Sequence, residues 1–335
     1  MTDNGEQKKG DQETAIQEIG GQRVGAAASR SLHGAGNQEA GDKGRGMKEA
    51  GDKAGGPRAC VIGWPISHSR SPLIHRFWLK QYAIDGGYDK QAVRPEDLPE
   101  FLSSLAARGL SGCNVTVPHK QAAFALADVR EPSAEAVGAA NTLWLQGDKL
   151  HAANTDGIGF MMHLRQNAPH WHDIDGPVSV LGAGGAACAL VYALLDAGVS
   201  KLRLFNRTIE RAEALANRFN DEFAGRIDVI PWQARAAASS DVILLVNATS
   251  LGMTGSAPLE MDLSALNDNA VIADIVYAPL ETDLLARARL RGLKTVDGLG
   301  MLLHQAAPGF EKWFGRRPQV TDELRDLIVA DILAA

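Results

Sequence analysis

From Ala59 onward, short apolar runs alternate with longer amphipathic stretches. Residues 59–63 and 178–181 are mostly apolar and bordered by glycine or proline, a pattern typical of strands that a sheet buries on both faces. Residues 72–84 instead place apolar side chains at helical spacing. Because strand and helix patterns keep alternating, the sequence predicts an α/β fold with open, twisted and mainly parallel sheets.

The same patterns predict the remaining elements and a division into two domains. We predict strands at residues 59–63, 91–93, 114–117, 142–145, 150–153, 178–181, 202–205, 241–246 and 271–275. We predict helices at residues 72–84, 95–107, 157–166, 186–195, 208–219, 280–291, 301–314 and 322–333. Asn167 and Pro169 interrupt the pattern between the elements of the first half of the chain and those of the second half. The expected domains are an N-terminal α/β domain at 58–156, completed by helices at 301–335, and a Rossmann-type domain at 157–300.

Residues 1–57 differ in composition from the rest of the chain. They hold 13 of the 35 glycines and no Phe, Trp or Tyr. Such a segment cannot bury enough apolar surface to offset the entropy of ordering it, so we predict a disordered tail. An alternative is an over-extended start, with Met47 as an internal candidate for the true first residue.

Overall composition narrows the class of protein. The net charge of -6 argues against a nucleic-acid partner or a polybasic membrane surface. Three scattered cysteines favour neither a disulfide framework nor a metal site, and no stretch is typical of a secretory signal or a membrane span. We therefore expect a cytoplasmic protein without a bound metal.

A glycine-rich turn follows the predicted strand at 178–181. It reads Gly182-Ala183-Gly184-Gly185-Ala186-Ala187 and opens a predicted helix. In this context, glycines let the backbone approach a dinucleotide pyrophosphate, whose charge the helix N-terminus stabilises. The alternative is a tight turn that binds no ligand.

The end of the next predicted strand indicates which dinucleotide would bind. An NAD site usually has an acidic residue there, whereas this chain has Asn206-Arg207-Thr208 and, one helical turn later, Arg211. A guanidinium group binds phosphate through parallel, charge-assisted hydrogen bonds. We therefore predict NADP as the cofactor; the alternative is that both arginines belong to a solvated helix face.

Small polar residues cluster at the predicted strand ends of the N-terminal half. The segments run from Ser67 to Pro72, Asn114 to Lys120, Gly138 to Thr142 and Asn154 to Gly157. Loops at the carboxyl ends of strands line the ligand crevice of open α/β sheets. Hydroxyls and amides with one lysine and one aspartate would suit a polyhydroxylated small molecule that is neutral or carries one carboxylate.

Together these motifs resemble the shikimate dehydrogenase family from about Ala59 to Phe314. Further segments carry the resemblance: Ile66–Pro72, Asn154–Phe160, Asn247–Ser250 and Gly298–Ala306. The resemblance implies that NADPH reduces 3-dehydroshikimate reversibly to shikimate, on the route to chorismate and the aromatic amino acids. In two positions the chain departs from the family: Trp64 and Ala278 stand where asparagine is common.

The resemblance also implies roles for individual residues. Lys120 and Asp156 match the catalytic pair. Ser69 and Ser71 would hold the substrate carboxylate, and Thr116, Asn141 and Gln305 would bind the hydroxyl side of the substrate. Tyr277 would also contact the substrate, and Val276 and Gly300 would lie beside the nicotinamide. The pair also makes chemical sense, because hydride delivery to a ketone builds negative charge that an ammonium group can neutralise or protonate. Without that role, Lys120 and Asp156 would be a plain ion pair.

Two other functions stay open at this point. One is an NAD-dependent quinate/shikimate dehydrogenase, which would want an acidic residue near Asn206. The other is a non-catalytic binding module on the same fold, which would be expected to lose Lys120 or Asp156. Members of the family occur as monomers and as dimers, so a homodimer is only an expectation at the level of the family.

Overall fold

The computed structural model describes residues 56–173 and 175–334. The predicted tail lies outside these residues, except for Gly56 and Pro57. The strands are β1 (Arg58–Gly63), β2 (Gly87–Ala92), β3 (Leu110–Val115), β4 (Val129–Arg130), β5 (Thr142–Gln146), β6 (Lys149–Ala153), β7 (Val178–Leu181), β8 (Leu202–Asn206), β9 (Ile227–Pro231), β10 (Leu244–Asn247), β11 (Val271–Asp274) and β12 (Lys294–Val296). The helices are α1 (Ser71–Gln81), α2 (Leu98–Ser103), α3 (Lys120–Leu126), α4 (Pro132–Val137), α5 (Asp156–Asn167), α6 (Gly185–Asp196), α7 (Ile209–Arg218), α8 (Asp283–Leu290), α9 (Leu299–Phe314) and α10 (Asp322–Ala334).

These strands form two six-stranded sheets, which confirms the predicted α/β class. The first has the order β2-β1-β3-β5-β6-β4, and the second has the order β12-β11-β10-β7-β8-β9. Every neighbouring pair in the second sheet is parallel. In the first sheet β5 runs antiparallel to both β3 and β6. As a result, the start of β5 lies at the same edge as the ends of β3 and β6.

Each sheet is covered by apolar side chains on both faces. Successive residues of β1 point to opposite sides: Ala59 and Val61 pack with α1, α9 and α10, whereas Cys60 and Ile62 pack with α2 and α3. The second sheet likewise lies between two buried clusters, one of which contains α5 and α6. Burial on both faces accounts for the continuous apolar runs that predicted these strands.

Several of the short elements were not predicted. The helices α3 and α4 and the strands β4, β9 and β12 were missing from the predicted set, and the helix predicted at 95–107 is a 3₁₀ turn at Pro95–Asp97 followed by α2. These pieces have two to seven residues, too few for a hydrophobic period to show in the sequence. Packing against neighbouring elements, not local propensity, stabilises them.

Two helices connect the sheets and pack closely on each other. The chain leaves the first sheet through α5 and returns to it through α9. A Cβ atom at Gly159 of α5 would lie 2.7 Å from Cβ of Gln305 on α9, and one at Gly300 would overlap the ring of His163. Glycine at both positions therefore allows the close approach. None of the helices in the described ranges is both long and apolar enough to cross a membrane.

Candidate active site

A cavity of about 380 Å³ opens at the carboxyl edge of the first sheet and is also lined from the second. Every residue that the sequence assigned to catalysis or to substrate contact lines it: Ser69, Ser71, Thr116, Lys120, Asn141, Asp156, Tyr277 and Gln305. They come from the β1–α1 loop, the β3–α3 loop, the starts of β5 and α5, the segment after β11, and α9. The topology thus brings residues far apart in the sequence into one site.

Lys120 and Asp156 form a direct ion pair in this cavity. The Lys120 Nζ atom donates to Asp156 Oδ2 at 2.5 Å. Lys120 is the first residue of α3 and Asp156 the first of α5, so both follow strand ends at the same sheet edge. The Asp156 side chain is 9% exposed and that of Lys120 is 29% exposed. The carboxylate is therefore enclosed, while the ammonium group stays accessible from the cavity.

A second set of hydrogen bonds fixes the Asp156 carboxylate. The Asn141 Nδ2 group donates to Asp156 Oδ1 at 2.8 Å, and the Asp156 backbone N–H donates to Asn154 Oδ1 at 3.1 Å. Asn141 is itself held by Thr155, whose backbone N–H donates to Asn141 Oδ1 at 2.9 Å. The Thr155 hydroxyl also donates to the Gln305 backbone carbonyl, at 2.8 Å. These bonds tie the ends of the first sheet to α5 and α9.

The structure adds two residues that the sequence left without a role. Asn114, at the end of β3, lines the cavity and is 5% exposed. Its Oδ1 atom accepts from the Tyr88 hydroxyl at 2.6 Å, and its Nδ2 group donates to the Asn141 carbonyl at 3.1 Å. Tyr88 is buried on β2 and belongs to no recognised motif. Its proximity to Asn114 is therefore visible only from the pairing of β2 with β1 and of β1 with β3.

The glycine turn lies between β7 and α6, as predicted. Gly182 has φ +112°, and a Cβ atom there would lie 2.8 Å from the Ala248 carbonyl oxygen, so the position requires glycine. Cβ atoms at Gly184 and Gly185 would meet open space in front of α6, and Ala183 and Ala186 are half-buried beside them. The turn therefore leaves room for an anionic group at the N-terminus of α6, which is where a pyrophosphate would fit.

The polar residues after β8 lie exposed at the start of α7. The Asn206 Nδ2 group donates to the Thr208 carbonyl at 2.7 Å and shapes the turn. Arg207 and Arg211 are both exposed, and neither forms an ion pair with any carboxylate that the structure describes. Their guanidinium groups are thus accessible at the strand end where a 2′-phosphate would be recognised.

Val276 and Gly300, which the resemblance places beside a nicotinamide, do not line the cavity. The Val276 backbone N–H donates to Asp274 Oδ1 at 3.0 Å. Gly300 is buried, and its Cα faces the ring of His163 on α5. Their neighbours Ile275, Tyr277, Gly298 and Met301 form that wall of the cavity instead. The role of both residues remains a prediction.

The Asn247–Ser250 motif belongs to a buried network behind the cofactor crevice. The Asn247 Nδ2 group and the Thr282 hydroxyl donate to the Asp274 carboxylate at 3.0 and 2.8 Å. Burial raises the pKa of Asp274 to about 6, although the hydrogen bonds from Val276, Thr282 and Asn247 act in the opposite direction. Thr282 also caps α8, so the network connects the ends of β10 and β11 to that helix.

Sequence comparisons agree with this arrangement. The profile of the shikimate dehydrogenase substrate binding domain matches residues 61–143, and that of shikimate / quinate 5-dehydrogenase matches residues 168–282. A third, the shikimate 5'-dehydrogenase C-terminal domain, matches residues 298–322. The shikimate dehydrogenase (NADP(+)) of Paramagnetospirillum magneticum is 53% identical over 273 residues, which cover 81% of this chain and 98% of that relative. The chain belongs to the shikimate dehydrogenase family.

Other members of the family support the same assignment. The shikimate dehydrogenase (NADP(+)) of Rhodopseudomonas palustris is 54% identical over 82% of this chain and 96% of its own length. The shikimate 5-dehydrogenase of Thermus thermophilus, solved with NADP(H) and shikimate, aligns with a TM-score of 0.71 at 34% identity over 82% of this chain and 99% of that one. The quinate dehydrogenase of Corynebacterium glutamicum, solved with NAD, aligns with a TM-score of 0.77 at 29% identity over 82% and 99%.

Proposed function

We propose that this shikimate dehydrogenase family member reduces 3-dehydroshikimate to shikimate with NADPH, reversibly, as a step toward chorismate and the aromatic amino acids. The observation that carries the proposal is the Lys120–Asp156 pair at 2.5 Å inside a cavity of hydroxyl and amide groups. The glycine turn of α6 and the exposed Arg207 and Arg211 support NADP as the cofactor. The names of the relatives support the same reaction.

The cavity offers a polyhydroxylated acid a suitable set of partners. Ser69 and Ser71 lie at the N-terminus of α1, where hydroxyl and backbone N–H groups favour a carboxylate. On the other side, Thr116, Asn141 and Gln305 supply hydroxyl and amide groups for the ring hydroxyls. Tyr277 completes the wall that comes from the second sheet.

Three groups of residues would hold NADP. Gly182, Ala183, Gly184, Gly185 and Ala186 would surround the pyrophosphate, Asn206, Arg207, Thr208 and Arg211 the 2′-phosphate, and Val276 and Gly300 the nicotinamide end. When it is bound, NADPH supplies the hydride that the ketone carbon accepts. The residues of this chain orient the ketone and manage the charge that develops on its oxygen.

Lys120 acts on that oxygen. As the carbonyl becomes an alkoxide, the ammonium group neutralises the developing charge and donates a proton to it. Asp156 Oδ2 holds the Lys120 amine in place, and Asn141 and Asn154 hold Asp156. The site is therefore organised before substrate arrives, and in the reverse reaction the same pair removes the hydroxyl proton.

NAD-dependent oxidation of quinate is the second candidate, because the quinate dehydrogenase of Corynebacterium glutamicum was solved with NAD and has a similar fold. Two features favour the first candidate. The strand end that precedes α7 carries Asn206 instead of an acidic residue, and two accessible arginines follow it.

Steady-state kinetics with shikimate and quinate, each against NADP and NAD, test the proposal. We expect the highest kcat/KM for shikimate with NADP. A higher kcat/KM for quinate with NAD would support the second candidate. No turnover with any of the four combinations would instead favour a non-catalytic binding module.

The finer points of organisation are part of the same proposal. We expect the domains at 58–156 with 301–335 and at 157–300, a cytoplasmic location, and a monomer or homodimer. Light scattering on the purified full chain measures its mass in solution and so distinguishes the two assemblies. Limited proteolysis tests the end of the tail and the break that follows α5, since cleavage should concentrate near residues 57 and 169.

A further inference from the structure

Arg70 lines the cavity but has no assigned role. It stands between Ser69 and Ser71, the two residues expected to hold a carboxylate, and its side chain is only 16% exposed. The Arg70 Nε atom donates to Asp331 Oδ2 of α10 at 2.8 Å. Its guanidinium carbon lies 6.0 Å from the centre of the Tyr277 ring. Arg70 therefore meets both sheets and the C-terminal helix at one end of the cavity.

The charges around the cavity are unevenly distributed. At one end Lys120 and Asp156 neutralise each other at 2.5 Å. Elsewhere in the lining, Arg70 pairs among the described residues with Asp331 alone, which lies outside the cavity lining and is 47% exposed. Solvent screens an exposed carboxylate, so this pairing leaves much of the Arg70 charge effective inside the cavity.

Part of the Arg70 guanidinium group is also available for binding. Nε is the only one of its three nitrogens that donates a hydrogen bond to a residue within the described ranges. The two terminal Nη atoms are the pair that binds a carboxylate in the bidentate geometry. A guanidinium group held by one edge, with its other nitrogens free, is preorganised for an anion.

We propose that Arg70 is a specificity-determining residue that selects substrates bearing a carboxylate, with α10 setting its position through Asp331. This inference rests on the proposed function, because shikimate is a cyclic polyol with one carboxylate. The positive charge of Arg70 favours the carboxylate of the substrate over an ester or alcohol at the same position. The Ser69 and Ser71 hydroxyls alone would discriminate less, since they can hydrogen-bond to neutral groups as well.

A purely structural role for Arg70 makes a different prediction, which the Asp331→Asn variant reveals. If Arg70 only ties α1 to α10, then removing either partner of the ion pair should disturb the cavity similarly. If Arg70 acts by its charge, Asp331→Asn increases the effective positive charge, while the amide oxygen can still accept from Arg70 Nε and keep the side chain in place. In that case KM for shikimate stays the same or falls, while Arg70→Leu raises it.

The experiment measures kcat and KM at saturating NADP with two substrates, shikimate and its methyl ester. We expect Arg70→Leu to raise KM for shikimate roughly five- to thirtyfold, the range for a charge-assisted contact that is partly screened, with kcat within about twofold. The ester, which carries no charge, should show an unchanged KM in the same variant. Arg70→Lys should restore most of the affinity for shikimate.

Arg76→Leu is a matched control. Arg76 lies on α1, which begins directly after Arg70; it is exposed, pairs with Asp89 and does not line the cavity. Removing its charge should leave KM unchanged for both substrates. Thermal unfolding of each variant establishes that the fold is retained, and Arg70→Gln, which also lacks the charge, provides the test if Arg70→Leu does not fold.

Two results would overturn the inference: an equal rise in KM for shikimate and for its ester in Arg70→Leu, or a rise in Asp331→Asn as large as that in Arg70→Leu. Failure of the proposed function looks different. It would appear as a wild-type protein that does not oxidise shikimate at all.

Discussion

The substrate cavity and the cofactor crevice differ in how their polar groups are paired. In the cavity, Asn114, Asn141 and Asp156 are buried and hydrogen-bonded to one another or to backbone. At the crevice, Arg207 and Arg211 are exposed and form no ion pair within the described part of the chain. One region is organised by the protein itself, and the other is left to be organised by its ligand.

The difference follows from the two kinds of ligand. The ring hydroxyls and the ketone of the substrate are uncharged and offer only modest hydrogen bonds, so the groups that act on them must be placed in advance, and a buried polar group without a partner costs about 1–3 kcal/mol. A phosphate group carries enough charge to order flexible arginines as it binds. Substitutions in the cavity should therefore impair chemistry and stability, whereas substitutions at the crevice should change only cofactor binding.

The largest effect should come from Lys120. Because its ammonium group meets charge that develops mainly in the transition state, Lys120→Ala should lower kcat by about 10²–10⁴-fold and change KM for shikimate little. Asp156→Asn should lower kcat as well. The double variant should be much less impaired than the product of the two single effects, because the residues act as one unit. A Lys120→Ala enzyme with nearly normal kcat at the same pH would remove this lysine from the mechanism.

Arg207 should produce the next largest effect, confined to the cofactor. Arg207→Ala should raise KM for NADPH roughly 10–150-fold, which corresponds to about 1.5–3 kcal/mol for a lost charge-assisted contact. KM for NADH should change little, because NADH lacks the 2′-phosphate. Arg218→Ala is a control at the far end of α7, since that side chain donates to the Glu135 carbonyl instead. Equal effects on both cofactors would mean that Arg207 does not meet the 2′-phosphate.

Tyr88 tests whether the cavity depends on its buried network. Tyr88→Phe keeps the ring but removes the hydroxyl that donates to Asn114 Oδ1, which would leave that oxygen buried without a partner. The free energy of unfolding should fall by about 1–3 kcal/mol, as measured by urea titration. Tyr82→Phe is the matched control, because the Tyr82 hydroxyl accepts from the exposed Gln319 backbone N–H. Equal losses in the two variants would argue against a special role for the buried bond.

Asp274 should give the smallest effect, and its sign depends on pH. Its pKa is raised from 3.8 to about 6 in the folded protein, so between pH 5 and 6 the native state binds more protons than the unfolded state. The stability of the wild type therefore falls as pH rises through that window, by about 1 kcal/mol. Asp274→Asn lacks this titration, so its stability relative to wild type should increase by that amount from pH 5 to pH 6. A constant difference in urea titrations at the two pH values would contradict the prediction.

The sequence predicted best those elements whose signals are local. The strand β7 was predicted with its observed ends, and the flanking glycine turn placed the start of α6 within one residue, because Gly182 marks a turn that few other residues could form. The helix α4 was missed because tertiary contacts stabilise it. It ends at Gly138, where Arg218 of α7 donates to the Glu135 carbonyl oxygen.

The candidate site shows the same division. Motifs located the residues from Ser69 to Gln305, since their chemistry and spacing are visible in the chain. No motif marked Tyr88 or the Arg70–Asp331 contact, because both depend on which distant elements become neighbours. A residue that positions another residue is recognised by its neighbours in the folded protein. The sequence of one chain does not show which distant residues those neighbours are.

The close packing of α5 on α9 has a consequence for recombining this enzyme. Asp156 lies on α5 and Gln305 lies on α9, and Gly159 allows the two helices to pack closely. Exchanging residues 175–293 for the corresponding segment of another family member would replace the glycine turn and the residues expected to bind the 2′-phosphate but, of the cavity lining, only Ile275 and Tyr277. The helix pair thus makes the cofactor-binding segment a cassette, so that nucleotide preference can be changed in chimaeras that inherit an unaltered catalytic pair.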